Sequence, residues 1–111
     1  MKDEVLAHLH DVVQAAQSVK QFVSGVTFDA YRSDDLLRSG VERKFEIMGE
    51  ALNRIRRCEP ELLTHVRNQR DIISFRNILI HGYDSIDDQI VWGVIEEDLE
   101  DLIEDVQSLI D

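Results

Sequence analysis

Along most of the chain, apolar residues recur in steps of three or four, the spacing that gathers them on one face of a helix. From Asp3 to about Gly25 the stripe is Leu6, Leu9, Val13, Ala16, Val19 and Val23, with Gly25 as the stop. The stretch VTFDAYRSDD reads as a connection, in which Ser33, Asp34 or Asp35 caps the next helix. That second helix is predicted from about Asp35 to Arg57, striped by Leu37, Val41, Phe45, Met48, Leu52 and Ile55, and ended by Cys58, Glu59 and Pro60. A short turn is expected over Glu61 to His65. The third helix, Arg70 to Ile80, carries Ile72, Ile73, Phe75, Ile78, Leu79 and Ile80 on more than one side, so it calls for burial on two faces and hints at a homodimer. The last helix runs from about Ile86 or Asp87 to Ile110, with Val91, Val94 or Ile95, Leu99, Leu102 or Ile103, Val106 and Ile110 inward. Strand alternation, internal repeats and low-complexity tracts do not occur. The expected architecture is an all-α, antiparallel bundle of four to five helices, one domain over residues 1–111, homodimeric.

Composition narrows what such a bundle can be. At 111 residues, 43% of them hydrophobic, the chain can bury a core without staples, but it has no room for a second domain or a separate cofactor-binding fold. Its one cysteine, Cys58, cannot form an internal disulfide. The start MKDEVLAHLHDVV has acids and histidines where a signal peptide needs a basic stretch and an apolar run, and no stretch approaches the ~18 apolar residues of a membrane span. A cytoplasmic location away from the membrane is expected.

The net charge of −11 argues at first against nucleic acid, because Lys and Arg supply most non-specific affinity for phosphate. Its distribution changes the picture. Residues 77–111 hold 11 acids and no Lys or Arg, whereas residues 43–76 hold 8 basic and 5 acidic side chains. The middle third can therefore meet a polyanion. The acids of the last helix read most simply as a solvated face.

The chemistry concentrates in Ser74-Phe75-Arg76-Asn77-Ile78-Leu79-Ile80-His81-Gly82-Tyr83. Asn77 and His81 are four residues apart, so the amide can reach one ring nitrogen and fix the tautomer of the other. Arg76 and His81 lie about 140° apart around a helix, so one copy does not aim both at a point, but two copies across a two-fold axis can line a shared cleft. Gly82 suits the end of the helix. Arginine binds phosphate bidentately and histidine exchanges protons near neutrality, which suits RNA cleavage by the strand's own 2′-hydroxyl. His81 takes the proton and Arg76 stabilises the charge of the transition state, without a metal or cofactor. An Arg and a His near a helix C-terminus are more often dipole-stabilising or capping groups than catalysts, and Tyr83 alone is more often a half-buried packing residue.

Other features weigh less. Gly49 in mid-helix predicts a close helix crossing, and Glu50 can pair with Arg54 or with Arg76. Arg54, Arg56 and Arg57 are a candidate RNA-backbone track or simply a basic helix end. His8, His10 and His65 with Cys58 lack metal-ligand spacing, so no metal site is expected. Asp87 and Asp88 are placed to cap a helix. There is no Gly-rich phosphate loop and no nucleophile elbow.

Arg76, His81 and Tyr83 match an Arg-x4-His-x-Tyr motif, and with them the chain resembles the HepT toxins of the HEPN superfamily. The likeness extends over nearly the whole chain. Val41-Glu42-Arg43-Lys44-Phe45-Glu46-Ile47-Met48-Gly49-Glu50-Ala51 is similar to the family's IGEA region, and Val91-Trp92 with the acidic helix is similar to its end. Where many relatives read WRDIIGMRN, this chain reads Gln69-Arg70-Asp71-Ile72-Ile73-Ser74-Phe75-Arg76-Asn77. The resemblance implies a homodimeric endoribonuclease toxin with Arg76 and His81 catalytic and Asn77 in support. It also implies a minimal nucleotidyltransferase antitoxin of the MntA type, which transfers AMP from ATP to Tyr83. The alternative is a non-catalytic helical module that binds nucleotide or substrate beside a nucleotidyltransferase partner; plain dimerisation is a third.

Overall fold

A computed structural model describes residues 1–80 and 86–111, with the backbone alone for residues 78–80. Every described element is helical: α1 (Asp3–Val23), α2 (Phe28–Ser33), α3 (Asp35–Cys58), a 3-10 turn (Pro60–His65), α4 (Gln69–Ile80), α5 (Asp88–Glu97) and α6 (Leu99–Ile110). The all-helical bundle expected from the stripes is what forms.

α1 and α3 run antiparallel: Cys58 at the end of α3 donates its Sγ–H to Glu4 Oε1 (3.1 Å), and Phe22 at the end of α1 lies against Gly40 near the start of α3. The buried face of α1 is broader than one stripe, adding Val5, Val12 and Ala15 to Leu9, Val13, Ala16 and Val19, while Leu6 sits at its edge. The reason is tertiary. α1 packs against α3 on one side and α6 on the other, and Lys20 reaches Glu100 across the second seam (2.8 Å). On α3 the expected stripe holds from Val41 to Ile55, with Leu37 half-buried at the end.

Two expectations are corrected. The connection before α3 contains a helix of its own, because the Thr27 hydroxyl caps Ala30 N–H (3.1 Å) and Tyr31 is buried beneath Trp92 of α5, ring centroids 5.2 Å apart. The single last helix is instead two, broken at Asp98, whose φ of −110° leaves the helical range while its carbonyl still accepts from Leu102 N–H. The caps expected at Asp34 and Asp87 form, accepting from the backbone N–H of Leu37 and Gln89.

α4 starts from a rigid joint. Asn68 has φ +65°, a left-handed conformation that asparagine tolerates, and its carbonyl accepts from Ile72 N–H (3.1 Å). Beside it, Asp105 of α6 accepts from Arg67 three times at 2.9 Å: from the backbone N–H, Nε and Nη2. Together with Lys20–Glu100, this turns part of the supposed solvated acidic face into cross-links. α4 buries Ile72, Ile73 and Phe75 within this one chain. The side chains of Ile78, Leu79 and Ile80, on which its second apolar face depends, lie outside the described part of the structure.

Candidate active site

α4 reaches its functional segment lying close on α3. Phe75 packs against Phe45, ring centroids 5.2 Å apart, and one residue on, Arg76 crosses Gly49. A Cβ at Gly49 would stand 2.3 Å from Arg76 Cβ and 2.8 Å from its Cγ, closer than side chains tolerate. The close crossing expected at Gly49 is therefore real, and the group it admits is the stem of Arg76.

The guanidinium is held by its neighbours. Glu50 Oε2 lies 2.5 Å from Nη2, and Asn77 Oδ1 accepts from Nη1 (3.2 Å). The other oxygen of Glu50 accepts from Arg54 Nε (3.0 Å). Both pairings open to Glu50 in the sequence are thus made at once, and the carboxylate bridges two arginines. Arg76 is 22% exposed, and its Nε is buried with no acceptor among the described residues. Each terminal nitrogen keeps one further N–H, so the group retains donors for a planar oxyanion after its own contacts are made.

Arg76 lines a cleft of about 230 Å³ between α1, α3 and the α4 crossing. α1 contributes His8 and Asp11 to it, and α3 contributes Arg43, Glu50 and Arg54. Spacing along the chain brings His8 forward only as a metal ligand. The signal that could have placed it is its position three residues after Val5 and four before Val12, both fully buried, which sets it at the inner edge of α1.

The expected basic track does not form one surface. Arg54 turns into the cleft toward Glu50, whereas Arg56 donates to Asn53 Oδ1 (2.5 Å) and lines a separate groove with Arg70. Asn77 is exposed and its oxygen is engaged by Arg76. His81, Gly82 and Tyr83 lie outside the described residues, and the expected Asn77–His81 contact with them.

The model of the family described as ribonuclease HepT-like matches residues 12–109. The chain belongs to that family. The class of enzyme expected from Arg76 and its neighbours, a ribonuclease, is the family's own. Among its relatives is a provisionally assigned RNase of Methanocaldococcus jannaschii, 30% identical over 96% of either chain. A probable ribonuclease HepT of Thermococcus cleftensis is 28% identical over 92% of either chain. A provisionally assigned RNase of Caldanaerobacter subterraneus is 25% identical, covering 93% of this chain and 91% of its own. No solved structure is a significant match. Among the described residues, no helix of this HepT-like chain is long and apolar enough to cross a membrane.

Proposed function

We propose that this HepT-like chain is the toxin of a toxin–antitoxin pair, an endoribonuclease that cleaves RNA without a metal by attack of the substrate's own 2′-hydroxyl. The observation that carries the reading is Arg76: a guanidinium set in a cleft by Glu50 and Asn77, on a helix brought in over a glycine. In the reaction the 2′-oxygen forms a bond to phosphorus, its proton passes to His81, and the bond from phosphorus to the 5′-oxygen breaks. Arg76 stabilises the charge that builds on the non-bridging oxygens, and Asn77 supports the guanidinium. The products are a 2′,3′-cyclic phosphate and a 5′-hydroxyl, and DNA, having no 2′-hydroxyl, is spared.

The working unit is a homodimer that brings two copies of the motif to one cleft. Its regulator is a minimal nucleotidyltransferase antitoxin of the MntA type, which joins AMP from ATP to the Tyr83 hydroxyl and releases pyrophosphate. A nucleotide added there brings negative charge and bulk that compete with RNA for Arg76.

The test is cleavage of total RNA in EDTA by wild-type protein and His81→Ala, with the mass of each checked for AMP on Tyr83. Cleavage by wild type alone, with cyclic-phosphate and 5′-hydroxyl ends, is the expected result. No cleavage by unmodified wild type would move the assignment to a binding module for a nucleotidyltransferase.

A further inference from the structure

The cleft around Arg76 does not stand alone. A groove of about 520 Å³ between α1 and α3 adjoins it, and Asp11 of α1 and Ile47 of α3 line both. Arg43, Arg54 and Arg76 line the cleft, and the groove adds Lys44. Where Arg54, Arg56 and Arg57 fail to make one surface, these four cations follow a single concave path. Lys20 is engaged by Glu100, whereas Lys44 has no carboxylate within 4 Å among the described residues and keeps its charge for a ligand.

The α1 wall of the groove is of a different kind. In a chain that is 32% charged and carries −11, residues 12–19 contain no charged side chain at all. Gln14, Gln17 and Gln21, three and four residues apart, fall on one face of α1 and line the groove with Ser18. The Ser18 hydroxyl donates to the Gln14 carbonyl (3.0 Å), so the three amides are the groups left to meet a ligand. From Asp11 to Gln21 this face runs about 15 Å, at ~1.5 Å per residue, long enough for a few nucleotides. An amide has two N–H donors and a carbonyl acceptor but no charge, so it does not repel phosphate and can pair with the edge of a base. No aromatic side chain lines the groove, so its hold is by hydrogen bonds rather than stacking. Base edges are open in a single strand, whereas an A-form duplex withholds them in its deep, narrow major groove.

Resting on the ribonuclease reading above, we propose that this groove holds single-stranded RNA next to the phosphate that is cut. The backbone runs along the α3 wall, where Lys44 neutralises one phosphate, and the bases turn to the α1 wall, where Gln14, Gln17 and Gln21 hydrogen-bond their edges. The strand then passes Ile47 into the cleft and presents the next phosphates to its arginines. Asp11, the groove's one carboxylate, stands on the base side of this path and opposes no phosphate. In the homodimer each protomer brings one such groove, and the substrate it selects is unpaired RNA.

The test measures binding of a short 2′-O-methyl oligonucleotide of mixed sequence, which cannot be cut, by fluorescence anisotropy at several salt concentrations. Lys44→Gln is expected to weaken binding whatever the sequence and to lower the slope of log affinity against log salt by about 0.7, the share of one single-strand phosphate. Gln14→Glu combined with Gln17→Glu, changes of equal size at exposed positions, sets two carboxylates against the strand and should weaken binding about tenfold or more. Gln89→Glu, at an exposed amide of α5 that lines neither hollow, should bind as wild type does. Annealed to its complement, the oligonucleotide should bind wild type more weakly. Circular dichroism and sedimentation report whether each variant folds and assembles like wild type. Unchanged affinity and salt slope in the groove variants would overturn the assignment, as would a wild type that does not bind or a duplex bound as tightly as the strand. Conversion of the glutamate variant to monomers would overturn it too, and would give this face to contact between the two copies. Cleavage of total RNA in EDTA is followed alongside. A wild type that cleaves while the groove variants bind unchanged loses only the groove, and one that binds as expected but leaves RNA intact loses only the ribonuclease reading.

Discussion

Arg67 and Arg76 stand at opposite ends of the same short stretch of chain, and carboxylates hold both. Around Arg67 one carboxylate dominates: Asp105 alone accepts from Nε, Nη2 and the backbone N–H, with Asp101 3.5 Å from Nη1. Around Arg76 they are divided: Glu50 is shared with Arg54, Asn77 takes one bond at 3.2 Å, and Nε has no acceptor among the described residues. The first arrangement uses a half-exposed guanidinium to pin the start of α4 to α6. The second orients a guanidinium and leaves it donors, and only there has the neighbouring helix given up a side chain to make room. An arginine clamped by one carboxylate of a distant helix is a joint, while one oriented inside a cleft is a tool.

The largest expected effect separates the two directly. Arg76→Ala should lower RNA cleavage by about 10²- to 10³-fold, as the loss of one transition-state donor does. Its thermal midpoint should change little. Arg67→Ala should do the reverse, lowering the midpoint in a circular-dichroism melt and sparing the rate. Equal effects of the two on cleavage would erase the distinction.

The crossing at Gly49 allows a paired test. In a helix interior, Gly→Ala normally stabilises by roughly 0.5–1 kcal/mol. At Gly93 a Cβ meets nothing within 4 Å, so Gly93→Ala should gain about that much in urea unfolding. At Gly49 the new methyl would overlap the stem of Arg76, and overpacking costs about 1–3 kcal/mol, so the clash wins and the sign reverses. Gly49→Ala should also impair cleavage by displacing Arg76.

A smaller effect comes from titration. The Arg67 guanidinium holds the Asp105 carboxyl below the usual carboxylate range. A depressed folded-state value stabilises the protein above the unfolded value of about 3.9, and the benefit is lost as pH falls through the folded one. Asp105→Asn should therefore destabilise at pH 7 and flatten the acid limb of a stability profile measured from pH 7 to pH 2. The smallest effect has the opposite sign. Burial first, and then Asp88, pushes the Glu42 carboxyl up, so any stability tied to its protonation is lost as pH rises through its folded value. Glu42→Gln should leave the neutral-pH midpoint unchanged or slightly higher, and a clear drop would show that the carboxylate has a partner of its own.

Much of this was legible in the sequence because it is local. Helix spacing located α1, α3 and α4, the short polar side chains of Asp34 and Asp87 gave the caps of α3 and α5, and a glycine inside a helix announced a crossing. What was not legible depends on partners distant in the chain. α2 is only six residues, too short for periodicity, and owes its place to the burial of Tyr31 under Trp92. The break at Asp98 interrupts no stripe, because Val91, Leu99, Leu102 and Val106 stay buried on both sides of it. Glu50 offered two pairings by spacing alone, and nothing in spacing said that one carboxylate would make both. Spacing within α1 did not connect His8 with the cleft, because the arginines it meets there come from α3 and α4.

The contact that sets α1 antiparallel to α3 has a practical side. Cys58 is the chain's one cysteine, it is exposed, and its thiol proton is directed at Glu4 Oε1, which disfavours the thiolate and raises the thiol's titration. Thiolate is the species that attacks disulfides and alkylating reagents. The protein should therefore stay free of mixed disulfides at neutral pH and accept a maleimide dye slowly and at a single place. Glu4→Gln would speed that labelling, which puts one spectroscopic reporter at the end of α3 remote from Gly40.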